Sequence, residues 1–192
     1  MALSDVVIRT ANVDDVPVLA SMHVASWRET YTGILPDAML AALSIESRAS
    51  MWDQVMRQPV SPGSTVVHLA EIDKKLAGFG SCGAQRTASL KAKGFGGEIS
   101  AIYVLRAFQR DGIGARLLRT MASDLLSRTL TAASLWVLRD NSVARRFYER
   151  NGAQLIDERE DVRNDAALVE LAYGWADLTQ LNQPHPGCRT EK

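Results

Sequence analysis

The sequence predicts a single α/β (α+β) domain with a mixed central sheet of about seven strands flanked by about four helices. Three observations predict this class. The 192 residues are enough for one domain with a sizeable core. The hydrophobic pattern switches between strand and helix spacing in the order β-α-α-β-β-β-α-β-α-β-β. This order contains two hairpins and at least one crossover, so the sheet should contain both antiparallel and parallel pairs.

The first third of the chain predicts one strand followed by helices. Residues 5–11 form a short apolar segment typical of a strand. In the helical pattern that follows, Asn12 stands at the cap position, acidic residues fill the first turn and Gly33 closes the segment. Residues 35–58 continue as two short helices broken near Ser44.

The middle of the chain predicts strands. Residues 65–72 and 76–86 flank a polar turn and are typical of a hairpin. The glycine-rich, polar segment 87–97 predicts a loop. Residues 98–104 are mostly apolar and therefore predict a central strand.

The last third contains the clearest helix. Apolar residues at positions 113, 117, 121 and 125 share one helix face and predict a buried stripe. A strand at 130–138 and a short helix at 141–152 follow, and residues 153–162 and 166–173 predict a second hairpin. We therefore expect one domain over residues 1–175 and a polar tail over residues 176–192.

Composition excludes several classes of function. The formal net charge is zero, which gives no basic footprint for nucleic acid. No segment approaches the ~18 apolar residues of a membrane span, and the N-terminus lacks a signal-peptide core. Cys82 and Cys188 form no CxxC motif, so the sequence predicts neither a disulfide framework nor a metal site. A cytoplasmic protein is expected.

Three glycine-rich segments are candidates for a ligand-binding loop. "GFGSCG" at 78–83 lies within a strand pattern with no helix after it, which favours a twisted or bulged strand over a dinucleotide site. "GFGG" at 94–97 predicts a flexible loop. "QRDGIG" at 109–114 lies between a strand and a helix, but it lacks the Lys-Ser/Thr pair of a nucleotide-triphosphate loop and the third glycine of a dinucleotide motif. Free amides at such a helix start favour a phosphate site, with a plain turn as the alternative.

Two segments together resemble a known family. "LWVLRDNSVARRFYERNGA" at 135–153 and "EISAIYVLRAFQRDGIGARLL" at 98–118 resemble the signature segments of the GNAT superfamily of acetyl-CoA-dependent N-acetyltransferases. The acyl-CoA motif Gln/Arg-x-x-Gly-x-Gly/Ala is carried here by Gln109, Gly112 and Gly114. The predicted element order is similar to that fold over residues 6–173.

The resemblance implies acetyl-CoA as the co-substrate and residues that bind it. The pantetheine arm would pair with a strand edge as a pseudo-strand. The diphosphate would meet main-chain amides of the glycine turn, and Asn141 would both cap its helix and contact the pantetheine. The strand-edge residues are Ile102, Tyr103 and Val104, and the turn residues are Gln109, Arg110, Asp111, Gly112, Ile113, Gly114 and Ala115.

The resemblance also implies residues for proton transfer and for the acceptor. Tyr148 would protonate the leaving thiolate, the alternative being an aromatic that only packs. Glu98 would accept the amine proton through a water, the alternative being a solvated carboxylate at a strand end. Trp27 and Tyr31 lie four residues apart and could wall an amine pocket with cation–π attraction, unless Trp27 only packs on the sheet.

These expectations describe an enzyme that transfers acetyl directly to the primary amine of a small molecule, with no covalent carrier and no metal. Three other functions stay open at this point. They are a protein N-terminal or lysine acetyltransferase, a non-catalytic acyl-CoA-binding module, and an NAD enzyme that uses "GFGSCG". A homodimer is among the assemblies that the sequence allows.

Overall fold

Seven strands form one continuous sheet. The computed structural model describes residues 6–59, 61–163 and 166–182, and in these ranges the strand order is β1-β2-β3-β4-β5-β7-β6. The strands are β1 Val6–Thr10, β2 Val66–Ile72, β3 Lys75–Ala84, β4 Gly97–Val104, β5 Ala133–Leu138, β6 Gln154–Arg163 and β7 Ala166–Trp175. The predicted mixed α/β fold with a seven-stranded sheet is confirmed.

Six α-helices accompany the sheet in the described ranges. They are α1 Val16–Tyr31, α2 Asp37–Ala41, α3 Ile45–Met56, α4 Ala88–Ala92, α5 Ile113–Ser127 and α6 Ser142–Arg150. The prediction of a loop over 87–97 is wrong, because this segment contains α4, whose Leu90 is fully buried. None of the described helices has the length and apolar character that crossing a membrane would need.

The sheet opens between its two parallel strands. β4 and β5 pair in parallel at only two positions, Gly97 with Ala133 and Glu98 with Ser134. Every other neighbouring pair in the sheet is antiparallel and far longer. Beyond Glu98 the two strands therefore separate, and we call the space between residues 99–104 and 135–138 the β4–β5 gap.

The two faces of the sheet are covered by different helices. Helices α1 and α3 pack on one face, where Leu19, Trp52 and Phe79 belong to a single buried cluster. Helix α5 packs on the other face through the predicted stripe, and all four of its residues are buried: Ile113, Leu117, Met121 and Leu125. The gap consequently lies in the middle of a sheet that is supported from both sides.

The core continues past the predicted end of the domain at residue 175. Leu178 and Leu181 are buried, and the main-chain N–H of Leu178 donates to the Thr131 carbonyl at 2.8 Å. These leucines belong to the same apolar cluster as Leu125 of α5. The remainder of the predicted polar tail, residues 183–192, lies outside the described residues.

His23 of α1 is part of the core beneath α3. The indole Nε1 of Trp52 donates to His23 Nδ1 at 3.1 Å, so this nitrogen must be unprotonated to accept. Burial, with a smaller contribution from the charge of Arg48, lowers the pKa of His23 to about 3. His23 is therefore a neutral structural histidine at physiological pH.

We expect this buried imidazole to make folding sensitive to mild acid. An unfolded histidine, with a pKa near 6.5, binds a proton that folded His23 does not bind until pH falls to about 3. Stability from this group is therefore complete above pH 6.5 and is lost as pH falls. Urea unfolding should show that lowering pH from 7 to 5 costs wild type about 2 kcal/mol more than it costs His23→Gln. Equal losses in the two proteins would contradict this.

Candidate active site

Tyrosines from both faces of the sheet converge on the β4–β5 gap. The hydroxyls of Tyr31 on α1 and Tyr103 on β4 lie 3.2 Å apart and share a hydrogen bond. Tyr148 comes from α6, on the opposite face, and is close enough to Tyr31 for the two phenols to interact electrostatically. Such an approach from opposite sides is allowed because the sheet is open there.

Tyr148 is held rigidly by its helix and its neighbours. Helix α6 begins after Asn141, whose side chain accepts the main-chain N–H of Ala144 at 3.1 Å. The Tyr148 ring lies 6.2 Å, between centroids, from both Tyr173 and Trp175, and only 7% of the residue is exposed. Burial, and then Tyr31, raise the pKa of Tyr148 well above its ordinary value. The phenol therefore keeps its proton at neutral pH and can donate a hydrogen bond.

Glu98 lies at the closed end of the gap, at the last position where β4 still pairs with β5. Its carboxylate accepts hydrogen bonds from Arg86 through Nε at 3.0 Å, Nη2 at 2.5 Å and the main-chain N–H at 3.0 Å. The Glu98 side chain is only 13% exposed, whereas Arg86 is 70% exposed. The predicted base is therefore oriented by an arginine that the sequence did not single out.

The glycine turn leads directly into α5. Gly112 has a φ of +76°, a conformation that favours glycine. A Cβ at Gly114 would lie 3.3 Å from the Phe147 ring, so this ring would have to shift slightly to admit one. The Gly112 carbonyl accepts the N–H of Arg116 at 3.0 Å, which begins the ladder of α5. The N–H groups just before Arg116 thus lie at the open start of a helix.

Gln109 was expected to offer its main-chain N–H to the diphosphate, but it donates its hydrogen bonds within the turn. Its main-chain N–H donates to the Arg106 carbonyl at 3.2 Å, and its side-chain amide donates to the Val104 carbonyl at 2.8 Å. Gln109 therefore closes the turn between β4 and α5. Because the main-chain N–H of Gln109 is used in this way, the main-chain N–H groups that could bind an anion begin at Arg110. Arg110 also adopts a positive φ of +72°.

Helices α1 and α2 line one side of the gap. Trp27 and Tyr31 contact edge to face with centroids 5.1 Å apart, and the Arg48 guanidinium lies 4.8 Å above the Trp27 ring. One face of Trp27 is thus already used by a cation of the chain itself. The surrounding apolar residues are Ile34, Leu35, Leu40, Leu43, Leu138 and Leu168. The indole Nε1 of Trp27 is buried.

An arginine, a glutamate and a tryptophan from three neighbouring strands also contact one another. Arg159 of β6 donates from Nε and Nη2 to Glu170 Oε2 of β7, at 2.8 and 2.6 Å. Its guanidinium also stacks 4.1 Å above the ring of Trp136 on β5. Sequence reasoning missed this group, because only the register of β5, β6 and β7 brings the three residues together.

The sheet thus opens between two parallel strands, beside a helix start that follows a glycine of positive φ. Residues 24–153 match the Acetyltransferase (GNAT) family. The chain belongs to this family and is an N-acetyltransferase enzyme.

Relatives in sequence support this assignment, and a solved structure shares the fold. The chain is 32% identical over 178 residues to an uncharacterized N-acetyltransferase of Bacillus subtilis, covering 92% of this chain and 96% of that one. It is 30% identical over 190 residues to a probable N-acetyltransferase of Mycobacterium tuberculosis, covering 98% and 95%. The fold is similar to that of the PaiA N-acetyltransferase of Thermoplasma acidophilum in complex with coenzyme A, with a TM-score of 0.67, 22% identity and coverage of 86% and 97%.

Proposed function

We propose that this enzyme transfers the acetyl group of acetyl-CoA directly to the primary amine of a small-molecule acceptor. The observation that carries the proposal is the meeting of Tyr31, Tyr103 and Tyr148 from opposite faces of the sheet in the β4–β5 gap. The gap offers a thioester a buried proton donor on one side. On the other side it offers an apolar wall for an acceptor.

The open edge of β4 suits the pantetheine arm. On the side of β5, the part of the chain that the structure describes gives β4 no strand partner after Glu98, so the main chain of Ile102 and Tyr103 can pair with an extended ligand. The Val104 carbonyl, in contrast, already accepts from Gln109. Asn141 uses its side-chain oxygen for the helix cap, which leaves its amide N–H groups to donate to the cofactor.

The start of α5 suits the diphosphate. Amides from Arg110 to Ala115 precede the helix ladder, and a helix N-terminus carries partial positive charge. Ile113, the first residue of α5, is 1% exposed, so its side chain anchors the glycine turn in the core. The side chains of Arg110 and Asp111 add one charge of each sign to the turn.

Acetyl transfer then needs two proton transfers. The acceptor amine must lose a proton, and Glu98 accepts it through a water, with Arg86 holding the carboxylate in place. The leaving thiolate must gain a proton, and the protonated hydroxyl of Tyr148, held in place by α6, is the donor that we assign to this step. The glycine turn and α6 contain no cysteine that could carry the acetyl group covalently. This favours direct transfer from acetyl-CoA to the amine.

A thiol-release assay tests the proposal. Acetyl-CoA is incubated with the enzyme and separately with amines, amino acids, polyamines, aminoglycosides and a lysine peptide, and free CoA is measured. We expect acceptor-dependent CoA release with at least one small molecule and none with the peptide. Release with the peptide alone would replace the small-molecule acceptor by a protein one. Tight CoA binding without release for any acceptor would favour a non-catalytic module.

Gly112→Ala should weaken both folding and cofactor binding. A Cβ at a φ of +76° costs about 1–2 kcal/mol of unfolding free energy, measured by urea titration. Gly152→Ala is the matched control, because Gly152 has a φ of +84° and ends α6 instead of beginning α5. Both variants should lose similar stability, but only Gly112→Ala should raise the KM for acetyl-CoA several-fold. Equal KM values would argue against a phosphate site at this turn.

A further inference from the structure

A polar cluster lies on the α5 face of the sheet, where β2, β3 and α5 meet. His68 of β2, Cys82 of β3 and Asp124 of α5 place one ligand atom each within 4.8 Å of one another. His68 is 6% exposed and Cys82 is fully buried. No step proposed for acetyl transfer uses any of these three side chains.

The imidazole of His68 is the feature that points to a ligand. Its Nε2 is buried and has no hydrogen-bond partner among the described residues. The nearest carboxylate oxygen, Oδ2 of Asp124, is 3.9 Å away, too far for a hydrogen bond. A buried nitrogen without a partner is costly unless another group satisfies it.

We propose that His68, Cys82 and Asp124 bind a thiophilic divalent cation of the Zn²⁺ type. Sulfur, imidazole nitrogen and carboxylate oxygen are ligands that zinc accepts together, with a water as the fourth. Tetrahedral bonds of ordinary length would separate sulfur from oxygen by about 3.5 Å and nitrogen from oxygen by about 3.3 Å. The structure has 3.4 Å from Cys82 Sγ to Asp124 Oδ2 and 3.9 Å from His68 Nε2 to that oxygen.

Arg128 closes the cluster in this structure. Its Nη1 donates to the Ser64 carbonyl at 2.8 Å, its Nη2 contacts Asp124 Oδ2, and Nη2 lies 3.8 Å from Cys82 Sγ. When the cation binds, the Nη2–Oδ2 contact is exchanged for an Oδ2–metal bond, and Asp124 Oδ1 remains for Arg128. The Cys82 thiol releases its proton to solvent as the sulfur–metal bond forms, and no electron is transferred.

Access and location agree with a structural role. The Asp124 side chain is 24% exposed and gives the cation a path from solvent. Asp124 lies 11 residues after the start of α5, about 16 Å along the helix axis from the glycine turn. A bound cation would therefore tie β2 and β3 to α5 at a distance from the glycine turn. The sequence predicted no metal site because these ligands come from three separate elements.

Titration with Co²⁺ followed by absorption spectroscopy tests the proposal. The full chain should carry Cys188→Ser, because His185 and Cys188 in the C-terminal segment could bind metal by themselves. We expect one Co²⁺ per chain, a thiolate-to-cobalt charge-transfer band and tetrahedral d–d bands, with competition by Zn²⁺. Absence of the thiolate band in this folded protein would overturn the proposal without affecting the acetyltransferase assignment.

Variants in the same background identify the ligands. Cys82→Ser should abolish the thiolate band, and His68→Gln should weaken Co²⁺ binding by more than about 100-fold, since losing even an outer partner costs about 10- to 100-fold. Arg128→Gln removes the competing cation and should tighten binding by at least about tenfold. Melting without metal establishes that each variant is folded. A band that survives Cys82→Ser, or that Arg128→Gln weakens, would overturn the assignment of the site.

Discussion

Tyr148→Phe is expected to lower kcat for acetyl transfer by about 100-fold or more, with little change in the KM for acetyl-CoA. The substitution removes only the hydroxyl, so the packing of the ring against Tyr173 and Trp175 is kept. The leaving thiolate then departs without a proton donor. Steady-state thiol release at saturating acceptor measures the effect.

Tyr173→Phe is the matched control for this substitution. The Tyr173 hydroxyl donates to Glu149 at 2.6 Å and accepts from Arg145 at 3.2 Å, so its loss affects α6 packing and not the gap. Its kcat should stay within a few-fold of wild type. A thioester with a more acidic thiol should partly rescue Tyr148→Phe, because that leaving group needs less protonation. Unchanged kcat in Tyr148→Phe would remove this residue from the chemistry.

Glu98→Gln is expected to lower kcat/KM for the acceptor by about 100-fold near neutral pH. An alkyl amine has a pKa near 10.4, so almost all of it is protonated at pH 7 and the base is needed to free it. The deficit should shrink as the pH of the assay approaches about 10, where the amine loses its proton unaided. A pH profile of kcat/KM for wild type and variant measures this.

Glu71→Gln provides a control of the same chemistry at a different place. Glu71 of β2 is also a half-buried carboxylate paired with an arginine, Arg9, at 2.7 Å. The control should lose stability without losing acceptor turnover. If both variants lost the same activity, or if the Glu98→Gln deficit did not depend on pH, Glu98 would be a structural ion-pair partner of Arg86 only.

Local patterns explain why the framework around the site could be predicted. Helix α5 has an unbroken apolar stripe from Ile113 to Leu125. Apolar residues that recur every four positions over this length predict a helix and not a strand. Gly112 adopts the positive φ that a glycine before a helix suggests. The sequence does not predict the one-turn helix α4, because its five residues lie in a polar, glycine-rich segment that is typical of a loop.

Contacts across strands explain what could not be predicted. Arg86 reaches Glu98 because Gly83 is paired with Glu98 in the β3–β4 register, which includes a bulge between Ser81 and Cys82. The hydrogen bond between Tyr31 and Tyr103 joins residues 72 positions apart. Such pairs depend on register and on helix placement, and no local spacing encodes either.

The most direct test is a crystal structure of the enzyme with acetyl-CoA. We predict the pantetheine arm in the β4–β5 gap, the diphosphate on the amides that precede Arg116, and the thioester sulfur within hydrogen-bonding reach of the Tyr148 hydroxyl, directly or through one water. A cofactor bound elsewhere, or a sulfur turned away from Tyr148 with the diphosphate far from Gly112, would contradict the proposed site.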